Sequence, residues 1–146
     1  MKNFKKYSIF ILIIISTIFL LYYFHPKNIT LDNIFSVHCH KENINKLYIR
    51  GINSRTENYI EDKNKIEGIL SHLSNVELIE YSGDTSKNRT KGSYEICIYE
   101  SGKNNLSIYT LGKEYLIIYN DSDFYKTYKV LNNSFNREYM EKITLE

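Results

Sequence analysis

The stretch SYEICIYESGKNNLSIYTLGKEYLIIYND, residues 93–121, decides the fold. It holds three runs rich in β-branched and aromatic residues, SYEICIYE, NLSIYTLG and EYLIIYND, interrupted at Ser101 to Asn105 and at Gly112-Lys113. Runs this short with breaks this brief leave no room for crossover helices, so they predict an antiparallel meander joined by tight hairpins. Alternate side chains of a strand point to opposite faces. Tyr94, Ile96 and Ile98 therefore share a side with Leu106, Ile108, Leu116 and Ile118. The other side carries Glu95, Cys97, Tyr99, Ser107, Tyr109, Tyr115, Ile117 and Tyr119, unusually aromatic for a face turned to water.

The apolar side needs a cover, and the preceding segment supplies one. In KNKIEGILSHLSN, residues 63–75, Ile66, Ile69, Leu70 and Leu73 fall at i, i+3, i+4 and i+7, a single stripe on an amphipathic helix, with Asp62 placed as its N-cap. His72 lies off that stripe and reads as a surface residue. Upstream, KLYIRGINSRTENYIED reads as a β-hairpin turning at Gly51 to Ser54, and VELIEY reads as a strand ahead of the polar loop SGDTSKNRTKG. Downstream, FYKTYKVL gives a further strand, and Phe135, Tyr139 and Ile143 mark a short closing helix. The expected fold of residues 46–146 is α+β: a hairpin, one amphipathic helix and a four- to five-stranded antiparallel meander.

The chain begins differently. From Tyr7 to Phe24 there are 18 residues without formal charge. At about 1.5 Å per residue this nearly matches a hydrocarbon core of roughly 30 Å. Bulky Leu20 to Phe24 end the run where a cleaved signal would carry small residues, and Lys2, Lys5 and Lys6 precede it. The expectation is a signal-anchor: a basic cytoplasmic flank at 1–6, a transmembrane helix at 7–24, a connector at 25–45 and a single extracytoplasmic domain at 46–146 at the cell envelope. A secreted domain released by signal cleavage is the alternative. The connector has one weakly apolar patch, Ile34, Phe35 and Val37.

The motifs DKNKIEGILSHL and GSYEICIYESGKNNLSIYTLGKEYLIIYNDSDFYK are similar to a group of small, uncharacterised extracytoplasmic domains found on lipoproteins and membrane-anchored proteins of low-GC Gram-positive bacteria. The likeness covers residues 46–131 and implies location and fold, with no activity attached. This chain departs from it in having no lipid-modified cysteine after the apolar run.

Composition narrows the functional classes. There is no Ala, Gln or Trp, and the chain is crowded with Ile, Asn, Lys and Tyr, the signature of AT-rich codons. Three of its 19 basic residues precede the apolar run and no acid does, leaving 16 basic against 17 acidic residues in the rest. Nucleic-acid binding draws most of its affinity from a basic surface, so no nucleic-acid partner is expected.

Among polar clusters, His38, Cys39 and His40 are candidate ligands for zinc or copper, read against a solvated connector. Cys39 and Cys97 are the only cysteines and form either a disulfide or two free thiols. Asp121 and Asp123 fail the EF-hand pattern, because its Gly and Glu positions hold Lys126 and Asn132, and they read as a polar turn. No nucleophile with a neighbouring base and no phosphate loop stands out, so no catalytic residue and no cofactor is expected. The leading expectation is a non-enzymatic binding or accessory module using Tyr99, Tyr109, Tyr115 and Tyr119 to bind an envelope protein or glycan. The alternative is a metal-binding protein or enzyme built on His38, Cys39 and His40.

Overall fold

A computed structural model describes residues 2–24, 27–52, 56–88, 93–132 and 135–145. Its elements run α1 (Lys2–Phe24), β1 (Ile29–Thr30), α2 (Leu31–His38), β2 (Ile44–Gly51), β3 (Glu57–Ile60), α3 (Lys63–Ser74), β4 (Glu77–Glu80), β5 (Tyr94–Glu100), β6 (Lys103–Leu111), β7 (Tyr115–Tyr119), β8 (Tyr125–Val130) and α4 (Arg137–Leu145). The expected α+β class holds, but the sheet is larger than the sequence reading gave. All eight strands join one antiparallel sheet in the order β1-β4-β8-β7-β6-β5-β2-β3.

The meander forms with the facing that alternation predicts. Ile96 pairs with Ile108 and Ile108 with Ile118, while Cys97 pairs with Ser107 and Ser107 with Tyr119. The β5–β6 turn uses Ser101 at φ 49° and Gly102 at φ 82°, the two positive values that a two-residue primed turn requires. The hairpin β2–β3 does not stand apart from this meander. β2 runs along β5, matching Ile49 to Ile96 and Leu47 to Ile98, so the sheet extends on that side by two strands. On the other side β8 pairs with β4, and β4 with β1. The expected turn at Gly51 to Ser54 and the loop at 82–92 lie partly outside the described residues.

Within the expected connector, residues 27–45 include β1 and α2. Thr30 and Asn33 make a reciprocal capping box, and Leu31, Ile34 and Phe35 then turn inward at helical spacing as α2. On α3, Asp62 accepts the Lys65 amide at 2.9 Å, and Ile66, Ile69, Leu70 and Leu73 are all buried. α4 adds Met140 and Ile143 to the same core and is tied to β3 where the Asn58 side chain donates to the Ile143 carbonyl at 2.8 Å. His72, expected at the surface, stacks on Tyr139 with ring centroids 4.2 Å apart. The helices that follow β1 thus build one core with the sheet side carrying Leu47, Ile49, Ile96, Ile98, Leu106, Ile108, Leu116 and Ile118.

The transmembrane expectation is corrected. Among the described residues no helix is long and apolar enough to cross a membrane. α1 is helical over Lys2–Phe24. A single-pass membrane location, with a cytoplasmic N-terminus, a signal-anchor and a domain outside, is therefore not supported.

Candidate functional site: the exposed face of the sheet

α2, α3 and α4 contribute to the core on the sheet's other side, and among the described residues alternation places the second face's residues strand by strand. β5 contributes Glu95, Cys97 and Tyr99, and β2 sets Arg50, Tyr48 and Lys46 directly opposite them. β3 adds Glu57 and Tyr59 beside Arg50 and Tyr48. β6 brings Ser107 and Tyr109, β7 brings Tyr115, Ile117 and Tyr119, and β8 brings Tyr125, Thr127 and Lys129. Tyr81, just past β4, lays its ring 4.9 Å from that of Tyr115. Eight of the 14 tyrosines consequently stand on this face: Tyr48, Tyr59, Tyr81, Tyr99, Tyr109, Tyr115, Tyr119 and Tyr125.

The rings lean on one another and on charged groups. Tyr48 and Tyr59 lie 4.7 Å apart by centroid, and the Tyr48 hydroxyl donates to Glu57 at 2.9 Å. The Lys46 ammonium sits 4.5 Å from the Tyr99 ring centre and 5.7 Å from that of Tyr59, within cation–π range of both. At the centre the Arg50 guanidinium donates to one Glu95 oxygen at 2.6 Å, and the Tyr119 hydroxyl donates to the other at 3.0 Å. Beneath the rings Ser107 donates to the Cys97 sulfur at 3.7 Å and accepts from the Asn104 amide at 2.8 Å.

These surroundings keep the phenols and the thiol protonated. Burial, followed by the hydrogen bond to Glu57 and that residue's charge, pushes Tyr48 up to about 12. Burial also raises Tyr99 and Tyr119, the latter helped by its bond to Glu95. Burial raises the Cys97 thiol as well, against a smaller opposing effect of the Ser107 hydroxyl. The direction of the Cys97 shift is opposite to that of an activated thiolate. The face offers a broad, hydroxyl-studded aromatic surface with fixed charges.

The structure brings Tyr99, Tyr109, Tyr115 and Tyr119 together on this face, each half-buried. Sequence reading missed the flanking Tyr48, Tyr59, Tyr81 and Tyr125, together with Lys46 and Arg50. The signal was present in KLYIRG, where Leu47 and Ile49 alternate with Lys46, Tyr48 and Arg50.

His38, Cys39 and His40 do not converge. The His38 ring packs against Phe124 with centroids 4.2 Å apart, while Cys39 caps α2 with its thiol in the core. His40 turns toward Glu100, its Nδ1 lying 3.6 Å from a carboxylate oxygen. Burial and the neighbouring Glu100 charge push the Cys39 thiol up to about 12, the opposite of what a metal-bound thiolate requires. Among the described residues no group of three or more His, Cys, Asp or Glu side chains is placed to hold a metal ion.

Both cysteines are free thiols. Cys39 belongs to the helix-side core and Cys97 to the exposed face, so the sheet itself separates the two sulfurs that the disulfide reading paired. Asn120 closes the Asp121–Asp123 turn by accepting the amides of Ser122 at 3.1 Å and Phe124 at 3.0 Å.

No family model, curated protein or solved structure matches the chain. The functional reading therefore rests on the site.

Proposed function

We propose that this protein is a non-enzymatic binding module whose exposed sheet face docks onto a protein partner. The observation that carries the proposal is the placement of the tyrosines. AT-rich codons raise the number of tyrosines everywhere, yet they do not choose a face. Three of the 14 tyrosines are in α1, and eight of the remaining eleven stand on this one surface. Tyrosine supplies large contact area with few rotamers to freeze, and Tyr and Arg dominate the residues that carry interface energy.

Size points the same way. The seven strands from β3 to β4 span roughly 29 Å at about 4.8 Å per strand, a width suited to a standard interface of about 800 Å² per partner. Glu57 is engaged by Tyr48 and Glu95 by Arg50 and Tyr119, Lys46 and Lys129 add positive charge, and the Asp121 and Glu114 carboxylates act on Tyr99 and Tyr115 from the edges of the face.

The test is affinity capture from cells of the source, followed by equilibrium binding with the captured protein after purification. Tyr109→Ser is expected to weaken that binding at least tenfold while leaving the unfolding midpoint within a few degrees of wild type. Equal binding by wild type and Tyr109→Ser overturns the proposal, and specific binding of a purified glycan in place of a protein replaces it.

A further inference from the structure

The two edges of the sheet are finished differently. β1, at one edge, is two residues long and runs straight into the capped helix α2. β3, at the other, extends from Glu57 to Ile60 with no proline, lysine or bulge, devices that ordinarily blunt an edge.

The hydrogen-bond phase fixes which groups β3 leaves over. The Gly51 amide donates to the Thr56 carbonyl at 2.8 Å, so the backbone of Thr56 faces β2, and by the alternation of an antiparallel ladder that of Asn58 and Ile60 faces it too. The amides and carbonyls of Glu57 and Tyr59 therefore point away from the sheet, and among the described residues no backbone bond from outside the ladder reaches them. Exposed apolar surface flanks this row on both sides. Tyr59 is 60% exposed on the tyrosine face, and on the helix side Leu145 is 75% exposed, just beyond the Ile143 carbonyl that Asn58 holds.

We infer that β3 is the seam of a homodimer, pairing antiparallel with β3 of a second copy about a two-fold axis at Asn58. The row is self-complementary in that register. Glu57 lies opposite the second copy's Tyr59, and Tyr59 opposite its Glu57, so the outward amides and carbonyls of each copy satisfy those of the other. Charge agrees with it. The Lys46 ammonium sits 5.7 Å from the Tyr59 ring centre, so the register brings each Glu57 carboxylate toward the Lys46 of the other copy. An extended segment of an unrelated protein satisfies the backbone row without supplying this reciprocal pair. Paired strands keep their faces, so the two tyrosine faces become one continuous surface, whatever that surface binds.

Hydrogen exchange of the Glu57 and Tyr59 amides is followed by NMR in the full chain. It is expected to slow at least tenfold as the protein is concentrated from the low micromolar to the millimolar range; association through any other surface leaves these two amides unprotected. Asn58→Cys sets two sulfurs across the axis, where the Cα atoms of a non-hydrogen-bonded pair stand about 4.5 Å apart, within disulfide reach. On mild oxidation it is expected to form a covalent dimer at least tenfold faster than Ser71→Cys on the exposed side of α3. Adding Glu57→Lys to Asn58→Cys is expected to slow that reaction at least tenfold, and adding Lys46→Glu as well restores it. Exchange that ignores concentration, crosslinking no faster than in Ser71→Cys, or a rate untouched by Glu57→Lys overturns the proposal.

Discussion

Arg50 on β2 and Glu95 on β5 occupy directly paired positions and meet at 2.6 Å in the middle of the exposed face. The Glu95 side chain keeps 15% of its exposure and that of Arg50 keeps 49%, so the carboxylate, more than the guanidinium, depends on the contact. Arg50→Ala leaves Glu95 with the Tyr119 hydroxyl alone. The expected loss is about 1 kcal/mol, between that of an exposed pair and that of a buried charge left unpaired. Urea unfolding of Arg50→Ala and of Arg50→Ala with Glu95→Gln measures it. The double variant recovers part of the loss, because no partly buried charge is then left unpaired.

Two helix caps separate the contributions of α2 and α3. Asp62 accepts the Lys65 amide at 2.9 Å, and Thr30 accepts that of Asn33 at 3.3 Å. Either change to Ala is expected to destabilise the domain by about 1 kcal/mol. Asp62→Ala is expected to be the larger effect, since its bond is shorter and its charge faces the positive end of the helix. Thermal unfolding checks both, with a fall of about 4 °C expected for Asp62→Ala.

Alkaline stability follows from a core phenol. Burial, with a smaller effect of the Glu80 charge, pushes Tyr128 up to about 12, whereas an unfolded tyrosine titrates near 10. The folded state therefore holds this proton more tightly than the unfolded state does. Its contribution is fully present below pH 10 and is lost as the pH rises from about 10 toward 12. Stability measured across that interval is expected to fall less steeply in Tyr128→Phe than in wild type. An identical slope contradicts the assignment.

Much of this architecture was legible in short-range pattern. Period-two alternation in residues 93–121 gave the meander and both of its faces, and the stripe from Ile66 to Leu73 gave α3. What escaped were the pairings that bring distant segments together. β2 joins β5 across the whole of α3, and β4 joins β8 across the meander, registers fixed by the shared core and by nothing local in either strand. α2 escaped for another reason. Its eight residues offer only Leu31, Ile34 and Phe35 as a stripe, and a helix that short is held by tertiary packing more than by propensity. The four tyrosines on the central strands were found because their strands were; Tyr48 and Tyr59 escaped with the β2–β5 pairing, and Tyr81 with the β4–β8 pairing.

The most direct test of the tyrosine face compares the captured and purified partner's affinity for wild type, for Tyr99→Ser with Tyr119→Ser, and for Ser71→Ala on the opposite side of the molecule. The double variant is expected to bind at least tenfold more weakly at unchanged fold, with Ser71→Ala indistinguishable from wild type. Full affinity in the double variant, or an equal loss in Ser71→Ala, contradicts the claim that this face is the working surface of the protein.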